Sequence, residues 1–328
     1  MLATGASERG FAFGNNDRPG VMLAGAIRSY ACRYGVMAGR SAVLATCHDG
    51  TYDDAIMLAR LGMEITLIDA RNKPSRRAKE AQAAGIDVLS GRVPVNVAGV
   101  KSVAALEIAE IDEAGEISDN TTIIGCDLVG VSGGYSPVIH LPSHLGIKPR
   151  WEASINAFVT GKTTENIYMV GSADGIYDHQ ACLDHALQVT QKIKGEKTET
   201  KPRRRIPGGM RALFEVQITG RKLKSFIDPQ HDVTSEDVRQ AHREGFVSVE
   251  HMKRYTTLGM ATDQGRVGNV LGLAVMAEAQ GLAVGTSGVT TFRPPYTPVS
   301  IGALAARERG RHWRPTRRTP MHHTHLAA

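Results

Sequence analysis

The residues best suited to bind a charged ligand lie in one short stretch of the last third of the chain. They are basic, hydroxyl and amide side chains, namely Lys253, Arg254, Thr256, Thr257, Thr262, Gln264 and Arg266. Lysine and arginine supply positive charge, and the hydroxyl and amide groups supply directional hydrogen bonds. The stretch therefore predicts a site for an anionic or highly oxygenated ligand. Composition alone favours the alternative, a solvated loop with ordinary surface charge.

Two predicted helices position these side chains. Ser248 can cap a first helix, because apolar residues recur after it at the three to four residue spacing of one helix face. Gly259 is expected to end that helix, since glycine readily adopts the left-handed conformation of a C′ position. Residues 260–268 are too polar and glycine-rich to continue it, and a second apolar helix is predicted over residues 270–279.

A strand-helix-strand unit earlier in the chain has the pattern of a nucleotide-binding fold. Strands are predicted over residues 42–46 and 64–68 with a helix over 52–61 between them, and Asp69 follows the second strand, where such folds place the carboxylate that binds ribose. The turn C-H-D-G-T at 47–51 has one glycine where a dinucleotide site needs three, and Asp49 would repel phosphate. We interpret the unit as a Rossmann-like layer that has lost dinucleotide binding, with His48 and Asp49 as loop residues rather than an acid-base pair.

Further predicted elements complete an α/β pattern. Helices are predicted over 22–34, 73–84, 179–192 and 302–309, and strands over 86–89, 126–132 and 167–173. Residues 100–111 and 116–124 alternate like the strands of a hairpin, and short strands or extended segments are predicted over 213–218 and 225–227. Residues 192–207 are charged, contain proline and lack a period, which predicts a linker that buries no core.

Composition and charge exclude several classes of function. A hydrophobic content of 42% and a mean hydropathy of -0.19, without a long apolar run, are typical of a soluble protein, and no secretory signal is visible, so a cytoplasmic location is expected. The four cysteines lack the C-x-x-C spacing of a zinc site. The net charge of +6 is concentrated in 201–205 and 307–318 without interleaved aromatic residues, so nucleic-acid binding is not expected. The histidines at 322, 323 and 325 are interpreted as disordered tail residues rather than metal ligands.

Several longer strings resemble one enzyme family. The most specific are V-E-H-M-K-R-Y-T-T-L-G-M-A-T-D-Q-G-R at 249–266 and T-F-R-P-P-Y-T-P at 291–298, and N-N-D-R-P-G-V at 15–21 and S-G-G-Y-S-P at 132–137 add to them. Together they resemble the alpha subunit of heterotetrameric sarcosine oxidase, which oxidatively demethylates N-methylglycine. The resemblance covers nearly the whole chain but only the middle of the family's alpha chain.

This resemblance implies a fold class and a domain organisation. The expected fold is α/β, an incomplete two-dinucleotide-domain arrangement like that of flavoprotein reductases, followed by a small helical domain that resembles bacterioferritin-associated ferredoxin without its cluster. The implied domains are the end of the first dinucleotide-binding domain (1–38), a second, degenerate Rossmann-like domain (39–124), the return to the first (125–194), a linker (195–212), the helical domain (213–285), and a partner-facing strip with a tail (286–328). The chain is expected to be truncated at both ends, lacking the N-terminal glycine-rich half and a C-terminal folate-binding domain that resembles aminomethyltransferases.

The likeness to the ferredoxin also predicts which positions have lost metal ligands. Four cysteines bind a [2Fe-2S] cluster in those relatives. The matching positions here hold Asp228, Gln230, Asp263 and Gly268. We therefore predict no iron-sulfur cluster. A metal site built from the first three is the less favoured alternative, because loop aspartates usually cap helices or face water.

The resemblance implies two cofactors and no catalytic residue in this chain. FMN is implied at a subunit interface, where the loop donors named above and Arg293 of the proline-rich strip at 291–298 would form one wall. NAD is implied beside Thr4-Gly5 and Gly171-Ser172, where FAD-binding relatives have Gly-Asp in place of the second pair, and a helix start near Gly175 is expected to offer free N–H groups to a phosphate. Since the glycine-rich pyrophosphate turn is not in the sequence, the isolated chain is expected to bind NAD poorly or not at all.

The implied activity belongs to a complex with beta, gamma and delta subunits. It converts sarcosine to glycine with hydrogen peroxide and formaldehyde or methylenetetrahydrofolate, and the chain alone is expected to be inactive. Two alternatives stay open: the electron-transfer subunit of an opine or hydroxyproline dehydrogenase, and a non-catalytic interaction remnant. The missing cluster cysteines and the strip at 291–298 argue against the first.

Overall fold

A five-stranded parallel sheet holds the middle of the chain together. The computed structural model describes residues 1–73, 75–163, 166–196, 204, 206–292, 297–307, 310 and 317–328. Numbered along the chain, the strands are β1 (Ala6–Glu8), β2 (Val21–Leu23), β3 (Ser41–Thr46), β4 (Glu64–Asp69), β5 (Asp87–Ser90), β6 (Arg92–Ala98), β7 (Ala105–Ile111), β8 (Ile117–Gly125), β9 (Leu128–Ser132), β10 (Tyr135–Pro137), β11 (Arg150–Glu152), β12 (Ala157–Val159), β13 (Phe226–Asp228) and β14 (Val233–Thr234). The parallel sheet has the strand order β2-β9-β3-β4-β5.

Helices cover one face of this sheet and flank it toward the C-terminus. They are α1 (Ala24–Tyr34), α2 (Gly50–Arg60), α3 (Arg76–Ala83), α4 (His140–His144), α5 (His179–Ile193), α6 (Ser235–Arg243), α7 (Val249–Thr256), α8 (Asn269–Ala279), α9 (Ile301–Ala305) and α10 (His322–Ala327), and a 3₁₀ turn spans Gly171–Asp174. No helix among the described residues is long and apolar enough to cross a membrane.

The alternation of side chains along a strand explains how two cores cover the sheet. In β3, Ala42 and Leu44 belong to one buried cluster, whereas Val43 and Ala45 belong to another, as a period of two requires. Helices α1, α2 and α3 complete the first cluster, and the antiparallel sheet β6-β7-β8 completes the second. Both faces are therefore buried, which is why β3 and β9 are almost continuously apolar.

Most predicted elements of this region are confirmed, with shifted ends. Strands β7 and β8 form the predicted antiparallel hairpin. The helix predicted from residue 22 begins at Ala24, because residues 21–23 pair with β9. Strand β6 is absent from the predicted elements. It contains Pro94, which the structure places at a shift in the register with β7, where proline is tolerated.

The predicted strand over 167–173 is wrong, whereas residues 213–218 include an extended contact, as one of the two predicted alternatives allows. Within the described residues, the first is one parallel bridge between Met169 and Leu2, followed by the 3₁₀ turn. Gly171 has a φ of 63°, in the left-handed region, and this turns the chain out of an extended course. The second is one bridge between Glu215 and Ala12.

The predicted linker contributes to a core. Ile206 is buried and packs against Ile155, Ala157 and Val159. The expectation that residues 192–207 bury no core is therefore wrong at this position. The charged residues around Ile206 do not indicate its burial, because the residues that Ile206 packs against are distant in sequence.

Helices α6, α7 and α8 pack around a core of their own. Every residue of α8 from 269 to 277 is buried, since its apolar side chains surround the helix instead of lying on one face. Helix α7 follows Ser248 as predicted, but the Ser248 side chain makes no capping hydrogen bond. Its end differs from the prediction, because Thr257, with a φ of 63°, takes the left-handed position before Gly259. Helices α9 and α10 bury no residue.

A two-stranded ribbon carries the chain into and out of the sheet region. Strands β1 and β10 pair antiparallel, and between them the chain builds both the parallel sheet and the β6-β7-β8 sheet. Strands β2 and β9, from either side of residues 39–124, join that parallel sheet. The domain limits given above stay a prediction.

Candidate functional site

The carboxyl ends of the parallel strands are the place where folds of this type bind nucleotides, at the point where the strand order reverses. Here that point lies between β3 and β9. His48 follows β3, and its Nε2 lies 3.0 Å from Oγ of Ser132 at the end of β9. Its Nδ1 accepts a hydrogen bond from the Gly50 N–H at 3.0 Å, so Nε2 carries the proton and donates to Ser132. This pair links the carboxyl ends of the two strands.

Burial determines the charge of His48. The side chain is fully buried, and burial lowers the pKa of His48 to about 3, with smaller contributions in the same direction from Arg71 and Arg9. The imidazole is therefore neutral at neutral pH. This agrees with its interpretation as a loop residue rather than half of an acid-base pair.

Asp69 is in the ribose position but is used inside the protein. It is fully buried, its Oδ2 accepts from the Tyr52 hydroxyl at 2.7 Å, and both of its oxygens accept from Arg71. Arg71 also donates to Asp49 at 2.6 Å. These groups satisfy one another, and the carboxylate that a ribose needs is not available. The arrangement supports the interpretation that this layer has lost dinucleotide binding.

The residues implied for NAD lie in two neighbouring segments of the chain, and their polar groups already take part in hydrogen bonds. The Thr4 hydroxyl donates to the Val138 carbonyl at 2.6 Å, and the Gly5 carbonyl accepts from the Val138 N–H. Leu2 pairs in parallel with Met169, two residues before the Gly171-Ser172 pair. The Gly171 N–H donates to Nδ1 of His185 at 3.3 Å.

The expectation of free N–H groups at a helix start near Gly175 is wrong. The structure begins α5 at His179, and the Gly175 N–H donates to the Ser172 carbonyl. Asp178 caps the helix by accepting from the Ala181 N–H at 2.9 Å. A carboxylate at this position competes with a phosphate for the same amides. The donors present here therefore do not fit a pyrophosphate.

The four positions that match cluster ligands come together in the fold. Asp228 is buried, and its two carboxylate oxygens accept from the N–H groups of Gly259 at 2.8 Å and Gln230 at 3.1 Å. Asp263 accepts from the Gly265 N–H at 3.2 Å. A Cβ added to Gly268 would lie 2.8 Å from the Ile227 carbonyl and 3.5 Å from Cβ of Asp228. The Asp228 carboxylate thus joins the end of β13 to the loop after α7.

No metal-binding group is found in the part of the chain that the structure describes, when groups of three or more histidine, cysteine, aspartate or glutamate side chains are considered. The prediction of no iron-sulfur cluster stays a prediction, to be tested by analysis of iron.

Several of the loop donors serve the loop itself. The Thr256 hydroxyl donates to the Met252 carbonyl at 2.9 Å, the Thr262 hydroxyl donates to Oε1 of Gln230 at 3.1 Å, and Nε2 of Gln264 donates to the Ala261 carbonyl at 2.8 Å. The two cations on α7 differ from these groups. Lys253 is half-buried, and Arg254 is 54% exposed and pairs with Glu250 at 3.7 Å.

Two described residues of the strip at 291–298 contact this helix and loop. The Thr291 N–H donates to Oε1 of Glu250 on α7 at 2.8 Å. Nη2 of Arg266 donates to the Thr297 hydroxyl at 2.8 Å. Thr291 and Thr297 are therefore neighbours of α7 and its loop. Arg293 and Tyr296 lie outside the described residues.

The structure adds two histidines to this region that are absent from the predicted site. His140 and His144 are four residues apart on α4, with ring centroids 5.8 Å apart. Burial lowers the pKa of His140, and the neighbouring His144 and Arg266 lower it further. Arg266 therefore lies close to α4. The H-x-x-x-H spacing is visible in the sequence, but nothing local connects it with a loop more than a hundred residues later.

Comparison with known proteins agrees with this geometry. Residues 222–308 match the family model described as the sarcosine oxidase A3 domain. Over the whole chain, the sequence is 39% identical to the sarcosine oxidase alpha chain of Corynebacterium sp. (strain P-1), of which it covers 35%. An opine oxidase chain of Rhizobium meliloti (strain 1021) is 24% identical, with 93% of this chain and 75% of that protein aligned. L-proline dehydrogenase from P. horikoshii has a similar fold, with a TM-score of 0.65 and 20% identity over 93% of this chain and 58% of that one.

The fold is thus the mixed α/β fold of flavoprotein dehydrogenases, which confirms the predicted fold class at this level. Within that class, the chain belongs to the family of sarcosine oxidase alpha subunits, as the resemblance predicted. It spans about a third of the length of the sarcosine oxidase alpha chains it matches.

Proposed function

We propose that this chain provides part of the alpha subunit of a sarcosine oxidase and contributes to the oxidative demethylation of sarcosine to glycine. The observation that carries the proposal is the basic surface of α7, with Arg254 exposed and Lys253 half-buried, beside Thr291 and Thr297 of the strip at 291–298, within the segment that matches the A3 domain. Identity of 39% along the whole chain supports the same family activity.

The surface of α7 and its loop forms one wall of an FMN site that a partner subunit completes. A phosphate needs cationic donors, and Lys253 and Arg254 lie together at the end of α7 with Arg266 in the following loop. Thr257 is exposed beside them, so its hydroxyl can reach a ligand, and Thr262, also exposed, holds the loop by donating to Gln230. Thr256 and Gln264 contribute by shaping the loop, and Arg293 by its place in the neighbouring strip. The donor set fits the flavin phosphate.

Bound FMN would supply electron transfer to oxygen, with hydrogen peroxide as the product. This chain holds and orients the cofactor, and none of its residues is assigned to catalysis. The site is half of an interface, so beta, gamma and delta subunits are the proposed partners. NAD, implied at Thr4, Gly5, Gly171 and Ser172, binds weakly or not at all to this chain, because the amides there are already bonded.

The test is the flavin content of complexes formed by co-expression with the beta, gamma and delta subunits. Lys253→Ala and Arg254→Ala, made separately, each remove one charged hydrogen bond, worth about 1.5 to 3 kcal/mol, and should weaken FMN binding roughly ten- to a hundredfold. FMN is measured after denaturing release and chromatography.

Arg243→Ala is the matched control. Arg243 is also an exposed arginine in a helix of the A3 segment, paired with Glu236 at 2.7 Å, but it lies on α6. Its complex should keep the parental FMN content. If both α7 variants also keep it, and only their melting temperatures fall, these side chains merely cover the helix and the FMN assignment is refuted.

The opine oxidase relative supports a second candidate, an electron-transfer subunit for an opine dehydrogenase. The same complexes distinguish the two. Reduction of bound flavin by sarcosine and not by an opine supports the first proposal, and the reverse result supports the second.

A further inference from the structure

Residues 206–211 run across the carboxyl ends of the parallel strands, and we call this segment the strap. Met210 forms an antiparallel bridge with His48, and the Arg211 N–H donates to the Cys47 carbonyl at 3.0 Å. Both partners lie in the turn after β3, where a nucleotide-binding fold holds the pyrophosphate. The strap therefore lies against the turn at which such a fold holds its ligand.

Arg71 fastens the strap. Its Nη1 donates to the carbonyls of Gly208 at 3.1 Å and Gly209 at 3.3 Å, while its Nη2 reaches Asp49 and Asp69. The side chain is 12% exposed, so these charged hydrogen bonds are largely shielded from water. In nucleotide-binding relatives of the fold, the acidic residue after this strand and a nearby arginine recognise the ribose or its phosphate. Here the same two kinds of group hold the protein's own backbone.

The two glycines of the strap differ in how they meet the sheet. Gly208 and Gly209 both have a left-handed φ, of 73° and 78°. A Cβ on Gly208 would lie 1.9 Å from Oδ2 of Asp49, whereas a Cβ on Gly209 would have nothing within 4 Å. Only Gly208 is therefore required by close approach to the edge of the sheet. The difference provides a matched pair of substitutions with the same backbone strain.

We propose that the strap is a built-in occupant of the nucleotide crevice, which excludes dinucleotides from this sheet, and that Arg71 is the positioning residue that locks it in place. The strap also attaches the chain to the sheet before the chain continues into the A3 segment. Phe214 and Val216, which follow the strap, continue the attachment through backbone hydrogen bonds with Ala12. This inference concerns a different part of the chain from the proposed FMN site.

Hydrogen exchange of the strap tests the proposal on the full chain. Gly208→Ala should speed exchange of the Arg211 amide about tenfold or more over Gly209→Ala, because only the first substitution displaces the Asp49 carboxylate that pairs with Arg71, which fastens the strap. Arg71→Lys keeps the charge but not the planar fork, and it should also speed this exchange. Circular dichroism melting shows whether each variant stays folded. Equal exchange in the two alanine variants would overturn the proposal.

A second measurement tests exclusion without any substitution. Millimolar NAD is added to the unchanged chain, and protection from exchange is mapped. The proposal is supported if residues 47–51 gain no protection from exchange. It is also supported if protection is confined to residues 2–5 and 171–175, because that result concerns the separate NAD site. Protection of residues 47–51 means that the crevice is open, and it refutes the proposal whatever the outcome of the FMN experiments.

Discussion

Replacing Asp228 tests whether a carboxylate has taken over the structural role of a metal cluster. Asp228 is 3% exposed, and it links β13 to the loop after α7 by accepting from the buried Gly259 N–H at 2.8 Å and from the Gln230 N–H at 3.1 Å. Asp228→Ala removes both acceptors and leaves the Gly259 N–H buried without a partner. A hydrogen bond to a charged group is worth about 1.5 to 3 kcal/mol.

The expected loss of unfolding free energy for Asp228→Ala is about 3 to 5 kcal/mol, since the two bonds share one carboxylate and are not fully additive. Asp228→Asn keeps one oxygen acceptor, which can face Gly259, and should lose about 1 to 2 kcal/mol. The control is Asp119→Ala, because Asp119 is exposed on β8 and its replacement should change stability by less than about 0.5 kcal/mol.

Urea denaturation followed by circular dichroism measures these differences, and hydrogen exchange of the Gly259 amide measures the local effect. The alanine variant should expose this amide far more often than the control does. If Asp228→Ala loses less than about 1 kcal/mol and the Gly259 amide stays protected, the carboxylate does not hold the loop, and the idea that it replaces cluster ligands fails.

Three further outcomes are expected. Burial raises the pKa of Glu8 from 4.5 to about 7, so the folded state favours the protonated carboxyl and stability falls as pH rises between these values. Glu8→Gln should therefore be more stable than the parent at pH 8 by up to about 3 kcal/mol, and this gain should disappear near pH 4.5. Curves of stability against pH that run parallel for the two proteins would contradict this. Anaerobically purified protein should contain no stoichiometric iron or acid-labile sulfide, because Asp228, Gln230, Asp263 and Gly268 provide no thiolate. Calorimetric titration of the chain with NAD should give no micromolar dissociation constant, since the Gly171 N–H is bonded to His185 and Asp178 caps α5.

The sequence by itself determined the elements whose causes are local. The period of two in β7 and β8, the apolar run of β3 and the helix around Met252 follow from neighbouring residues, so each is predicted within a few positions. The family was predicted from long sequence strings that occur in a fixed order, and a fold alone does not contain that information. A prediction was wrong where a segment with a strand-like pattern lacks a neighbouring strand to pair with. Residues 167–173 look like a strand, but Leu2 alone pairs with them among the described residues.

Only the tertiary structure decided which buried polar groups satisfy one another. In the sequence Asp69 has the position of a ribose ligand, but in the fold it holds Arg71, which reaches Gly208, 137 residues away. Asp228 has the sequence context of a loop aspartate, and its role depends on the Gly259 N–H, 31 residues away. A buried donor or acceptor must find a partner, but the partner can come from any segment that the fold brings near. Local periodicity carries no information about that choice. The contact of the strap with the sheet and the hydrogen bond from Gly259 to Asp228 are therefore properties of the folded chain.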